Sequence, residues 1–305
     1  MLTTQNTSSL SPALRRIFHI LCCPQCKSGL SIQAARVTCL SCDGDYAIKN
    51  GKIYFTSPPK RDDVFDGIKE TLRRHMGSYY YTIGRDIFSP IYLFDFYKYI
   101  SSKIHIEDAD IIVDIGSGDF RISEKIITVD CMDYKNVDIV CDILNLPFKD
   151  NTIYCFVSRG LIEHVENPEQ LITELYRATR NNGYSIHLIP FIFPFHASPY
   201  DYTRYTAPGQ HILFKKFSII EQDNPQGPVS VLLYFIIDFL SLLLAFGNNT
   251  IKSYIFLILC LLLFPIKFFD IFFAFNEKYM HISPNIVSVA RKDHSIDTCL
   301  MQEQL

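Results

Sequence analysis

Between residues 109 and 228, short apolar runs alternate with stretches of helical spacing. The runs lie at 111–115, 126–130, 137–141, 153–158, 184–190 and 216–221, and NIVSVARKD at 285–293 resembles a closing strand. Between the fourth and fifth runs, residues 168–180 begin with proline and carry apolar residues at helical spacing, which predicts a helix. Strands that alternate with helices are typical of a parallel sheet covered by helices. The pattern therefore predicts an α/β fold with a Rossmann-like sheet and helices on both faces.

A very apolar insertion, residues 229–279, separates the sixth run from the closing strand. Its segments 231–246 and 254–275 are short or impaired as membrane spans, because a clean span needs about 20 apolar residues. The interrupting residues are Asp238, Pro265, Lys267 and Asp270. Since the flanking strands share one sheet, the chain must enter and leave a bilayer on the same face. We expect a helical hairpin that dips into the cytoplasmic leaflet, with Lys252, Lys267 and Lys278 near the headgroups; two short spans or a buried hairpin are the alternatives.

A turn with two glycines follows the first predicted strand, in IIVDIGSGDF at 111–120. Gly116 and Gly118 allow backbone amides to approach a ligand, and Asp114 stands at the strand end as an acceptor. Such a pair also occurs in ordinary tight turns, so the motif alone is weak.

Acidic residues at the ends of the next two predicted strands strengthen this interpretation. Asp130 ends the second strand, where a carboxylate can accept from both hydroxyls of a ribose. Asp142 and Ile143 end the third, where an acid can accept from an adenine amine and an apolar side chain can cover the ring. Together the strand ends predict a nucleoside-binding site.

Four segments, VDIGSG, NLPF, GLIEHVENPEQLITELYR and NNGY, together resemble the class I methyltransferases of the type 11 group. The resemblance covers about 109–228 and the closing strand, and implies a methyltransferase domain over 109–228 plus 280–293. It also implies S-adenosyl-L-methionine as the cofactor. The implied binding residues are Asp114, Gly116, Gly118, Asp130, Asp142, Ile143 and Ser158. Phe120 departs from the family's frequent third glycine, Tyr154 stands where the family commonly has Asp, and the segment between the first two strands is too short for a full helix.

The segment PFIFPFHASPYDYTRYT, residues 190–206, follows the fifth predicted strand. We predict His196, Asp201 and Arg204 as catalytic residues, because a histidine can take a proton near neutral pH; the alternative is that His196 only bonds the loop. The run resembles methyltransferases found with cell-surface polysaccharide and glycolipid biosynthesis, which implies a glycan or lipid-linked acceptor. Glu163 and His164 could touch substrate, although a capping or loop-packing role is equally expected.

Residues 17–57 contain two CxxC pairs separated by short β-type runs. Cys23, Cys26, Cys39 and Cys42 can present four thiolates to one tetrahedral zinc ion, which predicts a closed structural site. Cys22 is the residue most easily confused with a ligand. The run resembles the zinc-ribbon family typified by the activator subunit of tRNA and translation-factor methyltransferases, which implies a structural role or a contact with a protein partner. Residues 58–108 are predicted to form a linker and helices.

Composition limits the classes of partner that the protein is expected to bind. Lys and Arg number 29 against 32 Asp and Glu, so a net charge of -3 offers no general attraction to nucleic acid. The first twenty residues show no secretory signal, which favours the cytoplasm. The sequence thus predicts a methyltransferase at the cytoplasmic face of a membrane. An rRNA or tRNA methyltransferase with a zinc module and a non-catalytic membrane scaffold of the same fold are the alternatives.

Overall fold

The computed structural model describes residues 9–33, 35–59, 79, 84–107, 110–196 and 200–293. Much of the predicted linker and helices at 58–108 lies outside the described residues, as does 197–199 in the segment after the fifth predicted strand.

An eleven-stranded sheet runs through the described part, in the order β1-β2-β3-β4-β7-β6-β5-β8-β9-β11-β10. The strands are β1 Leu30–Gln33, β2 Arg36–Cys39, β3 Asp45–Lys49, β4 Lys52–Tyr54, β5 Ile112–Ile115, β6 Ile127–Asp130, β7 Ile139–Val140, β8 Ile153–Arg159, β9 Thr179–Pro190, β10 Ser218–Asp223 and β11 Asn285–Arg291. Strands β7, β6, β5, β8 and β9 are parallel, and β11 runs antiparallel to both β9 and β10. This mixed α/β sheet confirms the Rossmann-like fold class.

Helices flank the sheet and form the late insertion. They are α1 Pro12–Ile17, α2 Arg85–Ile87, α3 Phe96–Lys103, α4 Pro168–Ala178, α5 Ala207–Leu213, α6 Pro228–Leu244 and α7 Asn249–Leu263. Short 3₁₀ helices are Phe18–Ile20, Ile143–Asn145, Ile162–His164, Phe264–Phe272 and Glu277–Ile282. The predicted helix at 168–180 is confirmed as α4, whose first turn is capped by the Asn167 side chain accepting from Gln170 N.

Two hydrophobic cores lie on the two faces of the sheet. Along β5, Val113 and Ile115 join the larger core, whereas Ile112 joins the smaller one, because successive side chains of a strand point to opposite faces. Helix α4 packs into the larger core and α3 into the smaller. The sheet is therefore covered on both faces, as predicted.

The cysteine-rich module, β1 to β4, is joined to the main sheet by strand pairing. Strand β4 runs parallel to β7, with Ile53 opposite Ile139 and Tyr54 opposite Val140. Phe55 N donates to the carbonyl of Val140 at 2.8 Å, which continues the pairing beyond β4. An open sheet edge can pair with other chains. By pairing β4 with β7, the module covers this edge of the main sheet.

Helices α6 and α7 form the predicted hairpin and pack against each other around Leu233, Ile237 and Cys260. Of the 26 large apolar side chains that are exposed in the described part, 19 lie within residues 229–279. The helical stretch Asn249–Phe272 is, by length and composition alone, long and apolar enough to cross a membrane, and only 17% of its most apolar part is buried. Length and composition alone are weak evidence for a span.

Two charged residues of the insertion are internal anchors, so the expectation that Lys267 lies near headgroups is wrong. Lys267 is fully buried, and its Nζ donates to Asp86 Oδ1 at 2.7 Å and to the Ser89 carbonyl at 3.2 Å. Asp270 is also fully buried and accepts from the backbone N–H groups of Val229 and Ser230, each at 2.9 Å. These bonds fix the base of the hairpin because a buried charge needs partners.

Candidate functional site

The turns after β5 and β8 face each other where the strand order reverses. From β5 the chain moves outward through β6 to β7, and β8 and β9 then continue on the other side. Such a reversal leaves a crevice at the carboxyl ends of the two central strands. Gly116 and Gly118 follow β5 and Gly160 follows β8, with φ of 62°, 60° and 60°, a conformation that glycine adopts without strain. Bare backbone therefore reaches the rim of the crevice.

A cleft of about 380 Å³ opens at this crevice. Its walls are Gly116, Gly118, Asp130, Cys131, Tyr134, Asp142, Ile143, Leu144, Gly160, Leu161, His164, Val165 and Glu166. Five of the seven predicted cofactor residues are thus brought together. A Cβ on Gly116 would come within 2.4 Å of Leu161 Cδ1, whereas one on Gly118 would meet nothing within 4 Å and would stand in open space. Glycine at these two positions therefore leaves the backbone of the turn bare toward the cleft.

Acidic side chains at the ends of β6 and β7 line the cleft and also fix its loops. Asp130 accepts from Gly118 N at 2.9 Å and from Met132 N at 2.8 Å. Asp142 caps the 3₁₀ helix that follows β7, accepting from Leu144 N at 2.9 Å. Each carboxylate oxygen has further lone pairs, so both acids can still accept from the hydroxyls or amine of a nucleoside.

Asp114 is buried directly beneath the glycine turn. Its side chain is 1% exposed, and neither carboxylate oxygen has a hydrogen-bond partner in the described part of the chain. Arg159 Nη2 lies 3.7 Å from Oδ2, too far for a hydrogen bond. Burial raises the pKa of Asp114 to about 7; Arg159 opposes this shift and Asp130 adds to it. A buried carboxylate that accepts no hydrogen bond is costly, so this position fits a ligand with a positive charge or N–H donors.

Ser158, like Asp114, is not part of the cleft wall. Its hydroxyl is buried and pairs with His187 Nδ1 at 2.7 Å, while His187 Nε2 pairs with Ser185 at 2.6 Å. Burial lowers the pKa of His187 to about 3, which keeps this imidazole neutral. Because the Ser158 side chain points into the core, the turn residues Gly160 and Leu161 form the cleft wall after β8 instead.

A second cavity, of about 470 Å³, adjoins the same two turns on the face covered by α3. Its walls are Leu93, Phe94, Asp95, Phe96, Tyr97, Phe120, Ile122, Arg159, Leu188 and Gln226. Residues 116–126, all described, contain no helix, so this face stays open beside Phe120. The Arg159 guanidinium lies 4.8 Å from the centre of the Phe120 ring, a favourable cation–π distance. The residue that replaces the third glycine therefore supports Arg159.

The loop after β9 is held in shape by Asp201 and Arg204. Arg204 donates to both carboxylate oxygens of Asp201 and to the carbonyls of Phe193 and Pro194. Burial opposes the shift, but hydrogen bonds from Arg204 and from the backbone of His196 lower the pKa of Asp201. Asp201 and Arg204 thus lie beside His196, the third residue predicted to be catalytic, but their polar atoms bind the loop itself.

Glu163 and His164 meet His196 beside the cleft, whose wall includes His164. Glu163 Oε1 lies 3.6 Å from Nε2 of His164 and 3.6 Å from Nε2 of His196. Glu163 is fully buried, and neither of its carboxylate oxygens has a hydrogen-bond partner among the described residues. The LIEHV motif alone predicts substrate contact and loop packing equally. The third member of the group, His196, lies more than thirty residues further along the chain, so no local pattern connects it with Glu163 and His164.

The four predicted zinc ligands lie together in the cysteine-rich module. The sulfur atoms of Cys23, Cys26, Cys39 and Cys42 all lie within 4.8 Å of one another. Neighbouring pairs are 3.4 to 3.6 Å apart, close to the separation of about 3.8 Å that four sulfurs adopt around zinc. Cys22 is fully buried beside them and is not a member of the group. The arrangement suggests a four-cysteine metal site.

Residues 119–187 match the sequence profile of the family described as methyltransferase domain. This stretch runs from the turn after β5 almost to the end of β9 and supports an S-adenosylmethionine-dependent methyltransferase of class I. No curated protein matches the chain in sequence.

Solved structures resemble the chain at low identity. Phosphoethanolamine N-methyltransferase 2 of Haemonchus contortus is 17% identical, with a TM-score of 0.45 over 77% of this chain and 61% of that one. The complex of the Haloferax volcanii Trm112 methyltransferase activator with a methyltransferase is 14% identical, with a TM-score of 0.43 over 77% of this chain and 100% of that one. The chain spans about three fifths of the first protein's length.

Proposed function

We propose that this chain transfers a methyl group from S-adenosyl-L-methionine to a glycan or lipid-linked acceptor at a membrane surface. The observation that carries the cofactor assignment is the buried carboxylate of Asp114 at the start of the glycine turn, which accepts no hydrogen bond from the described residues. The cofactor is cationic and contains a nucleoside; the cleft combines two glycines with strand-end acids, and the buried Asp114 lies on the strand that leads into this glycine turn. When bound, the cofactor would supply an electrophilic sulfonium methyl group, which an oxygen or nitrogen of the acceptor would attack while S-adenosylhomocysteine leaves.

The residues of the cleft would share the binding of this cofactor. Asp114 would attract its positive charge, and the backbone of Gly116 and Gly118 would pack against it. Asp130 would accept from the ribose hydroxyls, while Asp142 and Ile143 would hold the adenine. Holding donor and acceptor in one orientation contributes to the rate because it removes the entropy cost of their encounter.

The acceptor and the membrane assignment rest on the hairpin and the second cavity. Apolar side chains exposed over residues 229–279 form a surface far larger than scattered exposed residues would give. The wall of the second cavity includes Gln226, two residues before α6, so this cavity adjoins the base of the hairpin. A lipid-linked acceptor held at the hairpin would therefore lie near Arg159, whose charge suits a phosphate. We further propose that the cysteine group holds a structural zinc ion.

Calorimetric titration with S-adenosylhomocysteine, the demethylated product, tests the cofactor assignment. We expect the full-length protein to bind one molecule and Asp114→Asn to bind it at least tenfold more weakly, since a hydrogen bond to a charged group is worth about 1.5–3 kcal/mol. Glu169→Gln, an exposed acid outside the cleft, is the matched control and should bind like the wild type. A folded wild type that gives no heat would contradict the enzyme assignment and favour the scaffold alternative.

A further inference from the structure

Three acceptor atoms converge where the turn after β8 meets the loop after β9. His164 Nδ1 lies 2.5 Å from the carbonyl oxygen of Tyr200. Because a carbonyl only accepts, Nδ1 carries the proton, and in the neutral imidazole Nε2 then presents its lone pair. That Nε2 lies 3.6 Å from Glu163 Oε1, which also only accepts when ionised.

His196 approaches the same carboxylate from the opposite loop. Its Nδ1 lies 3.2 Å from the Pro194 carbonyl and 3.4 Å from Asp201 Oδ2, two acceptors that favour a proton on this nitrogen. Arg204 Nη2 also lies 3.3 Å away, but it already donates to Pro194 and Asp201. The His196 Nε2 lone pair then faces Glu163 Oε1 at 3.6 Å.

Independently of the two histidine nitrogens, the Glu163 carboxylate also indicates a bound ligand. It is fully buried, and both oxygens lack a hydrogen-bond partner in the described structure. A Cβ on Gly160 would come within 3.2 Å of Glu163 Oε1, so the glycine at this position keeps space beside the carboxylate. A buried carboxylate facing two lone pairs is unfavourable unless a cation lies between them.

The separations suit a metal ion. Ligands about 2.1 Å from one ion lie about 3.0–3.4 Å apart in octahedral or tetrahedral geometry, near the observed 3.6 Å. The remote nitrogen of each histidine bonds backbone carbonyl oxygen, the arrangement that orients metal-binding imidazoles. Backbone bonding between Tyr202 N and the Glu163 carbonyl, at 2.7 Å, ties the two loops together.

We propose that Glu163, His164 and His196 bind one divalent transition-metal cation beside the cofactor cleft, whose wall includes His164. Two imidazoles and one carboxylate suit zinc, iron or manganese and leave coordination positions open. The next step rests on the proposed function: the open coordination positions would take oxygen atoms of the acceptor, as a sugar diol would provide. The ion would then lower the pKa of an acceptor hydroxyl, and His196 would act as a ligand in place of a general base.

Titration of the full-length protein with Mn²⁺, after loading with one equivalent of zinc per chain for the four thiolates and removal of the excess, tests this site; the readout is the loss of the free-ion signal in electron paramagnetic resonance. Manganese prefers nitrogen and oxygen ligands over thiolates, so it reports on this site separately from the cysteine group. We expect one Mn²⁺ per chain, with affinity at least tenfold lower in Glu163→Gln and in His196→Gln. Glu169→Gln should match the wild type.

Cobalt supplies a second readout. Co²⁺ added to the zinc-loaded protein should give a visible band without the near-ultraviolet thiolate absorption, and Glu163→Gln should remove that band. Binding of S-adenosylhomocysteine, measured in parallel without Mn²⁺, should be unchanged in His196→Gln. A wild type that binds neither ion overturns the metal site even if it binds the cofactor product. A wild type that binds Mn²⁺ but no cofactor product keeps the site and overturns the proposed function.

Discussion

The cysteine-rich module and the apolar hairpin are both additions to one sheet, but they end in opposite relations to it. The module donates β4 to the β7 edge, and its Lys27 bonds Glu174 of α4 at 2.8 Å. Ile53 of the module is fully buried in the larger core, which continues from one part into the other. The hairpin is anchored at its base, and beyond this base its helices pack mainly on each other.

The two additions differ in where they place their apolar side chains. The module buries its apolar side chains within the molecule and closes a sheet edge, so its contribution is to folding. The hairpin keeps side chains such as Leu243 and Leu262 more than half exposed, at 59% and 67%, so its apolar surface is available for a partner outside the fold. We expect damage to the module to appear as lost stability and damage to the hairpin as lost binding.

Disrupting the cysteine group should have the largest effect. Cys39→Ser, or removal of the metal with a strong chelator, should lower the melting temperature by more than about 10 °C, because structural zinc contributes on the order of 10 kcal/mol of folding free energy to such modules. Thermal unfolding followed by circular dichroism measures this, with Cys131→Ser, a cysteine outside the group, as the control. A Cys39→Ser protein as stable as the wild type would mean that the module folds without metal.

Removing the outward apolar side chains of the hairpin should abolish membrane binding. We expect the quadruple change of Leu242, Leu243, Leu261 and Leu262 to Ser to lower partitioning onto phosphatidylglycerol-containing vesicles by at least tenfold, since each leucine contributes about 1.5–3 kcal/mol when buried in lipid. Melting temperature should change little, as all four side chains are at least half exposed. Vesicle co-sedimentation measures the partitioning.

Exposed apolar residues outside the hairpin provide its control. Ile212→Ser and Ile220→Ser change side chains that are 74% and 52% exposed, and they should leave vesicle binding unchanged. A wild type that stays in the supernatant at every lipid concentration would show that something other than a bilayer covers the hairpin.

The same contrast marks what could be predicted from sequence. Strand positions, helix α4 and the cysteine group follow from local signals, namely apolar runs, a proline at a helix start and CxxC spacing. The pairing of β4 with β7 was not predictable, because no local pattern specifies which distant edge a strand joins. Lys267 was misassigned for a related reason: its partner Asp86 lies 181 positions earlier. No local sequence pattern identified the role of Glu163, because part of its surroundings comes from the loop after β9, which is distant in the sequence.

Asp270→Asn tests the base of the hairpin, which, like the cysteine-rich module, is bound to the rest of the fold. Its carboxylate accepts from Val229 N and Ser230 N in the first turn of α6, so the change should remove the charge from a helix cap and cost about 2 kcal/mol. Urea unfolding measures the loss. Asp238→Asn, whose partially exposed carboxylate pairs with Lys252 at 2.8 Å, should cost much less. Equal losses would mean that the hairpin base is no more tightly bound than its surface.

The smallest effect we predict is a pH dependence of cofactor binding that neither addition should alter. Asp114, which faces Arg159, Asp130 and Arg121, has a pKa of about 7 in the free protein, so it is mostly protonated at pH 6. If the bound cofactor requires the carboxylate, binding releases this proton, and affinity for S-adenosylhomocysteine should rise about tenfold from pH 6 to pH 8 before levelling off.

Calorimetry across this range measures the profile, and Asp114→Asn should give a flat one. The sign for stability is opposite. The folded protein holds the proton up to about pH 7, whereas an unfolded carboxyl loses it near pH 4, so this contribution is present below about pH 4 and is lost as the pH rises through 7. The quadruple leucine variant should keep the wild-type binding profile, because the hairpin surface is separate from the cleft. A profile that changed in that variant would mean that the hairpin acts on the cofactor site.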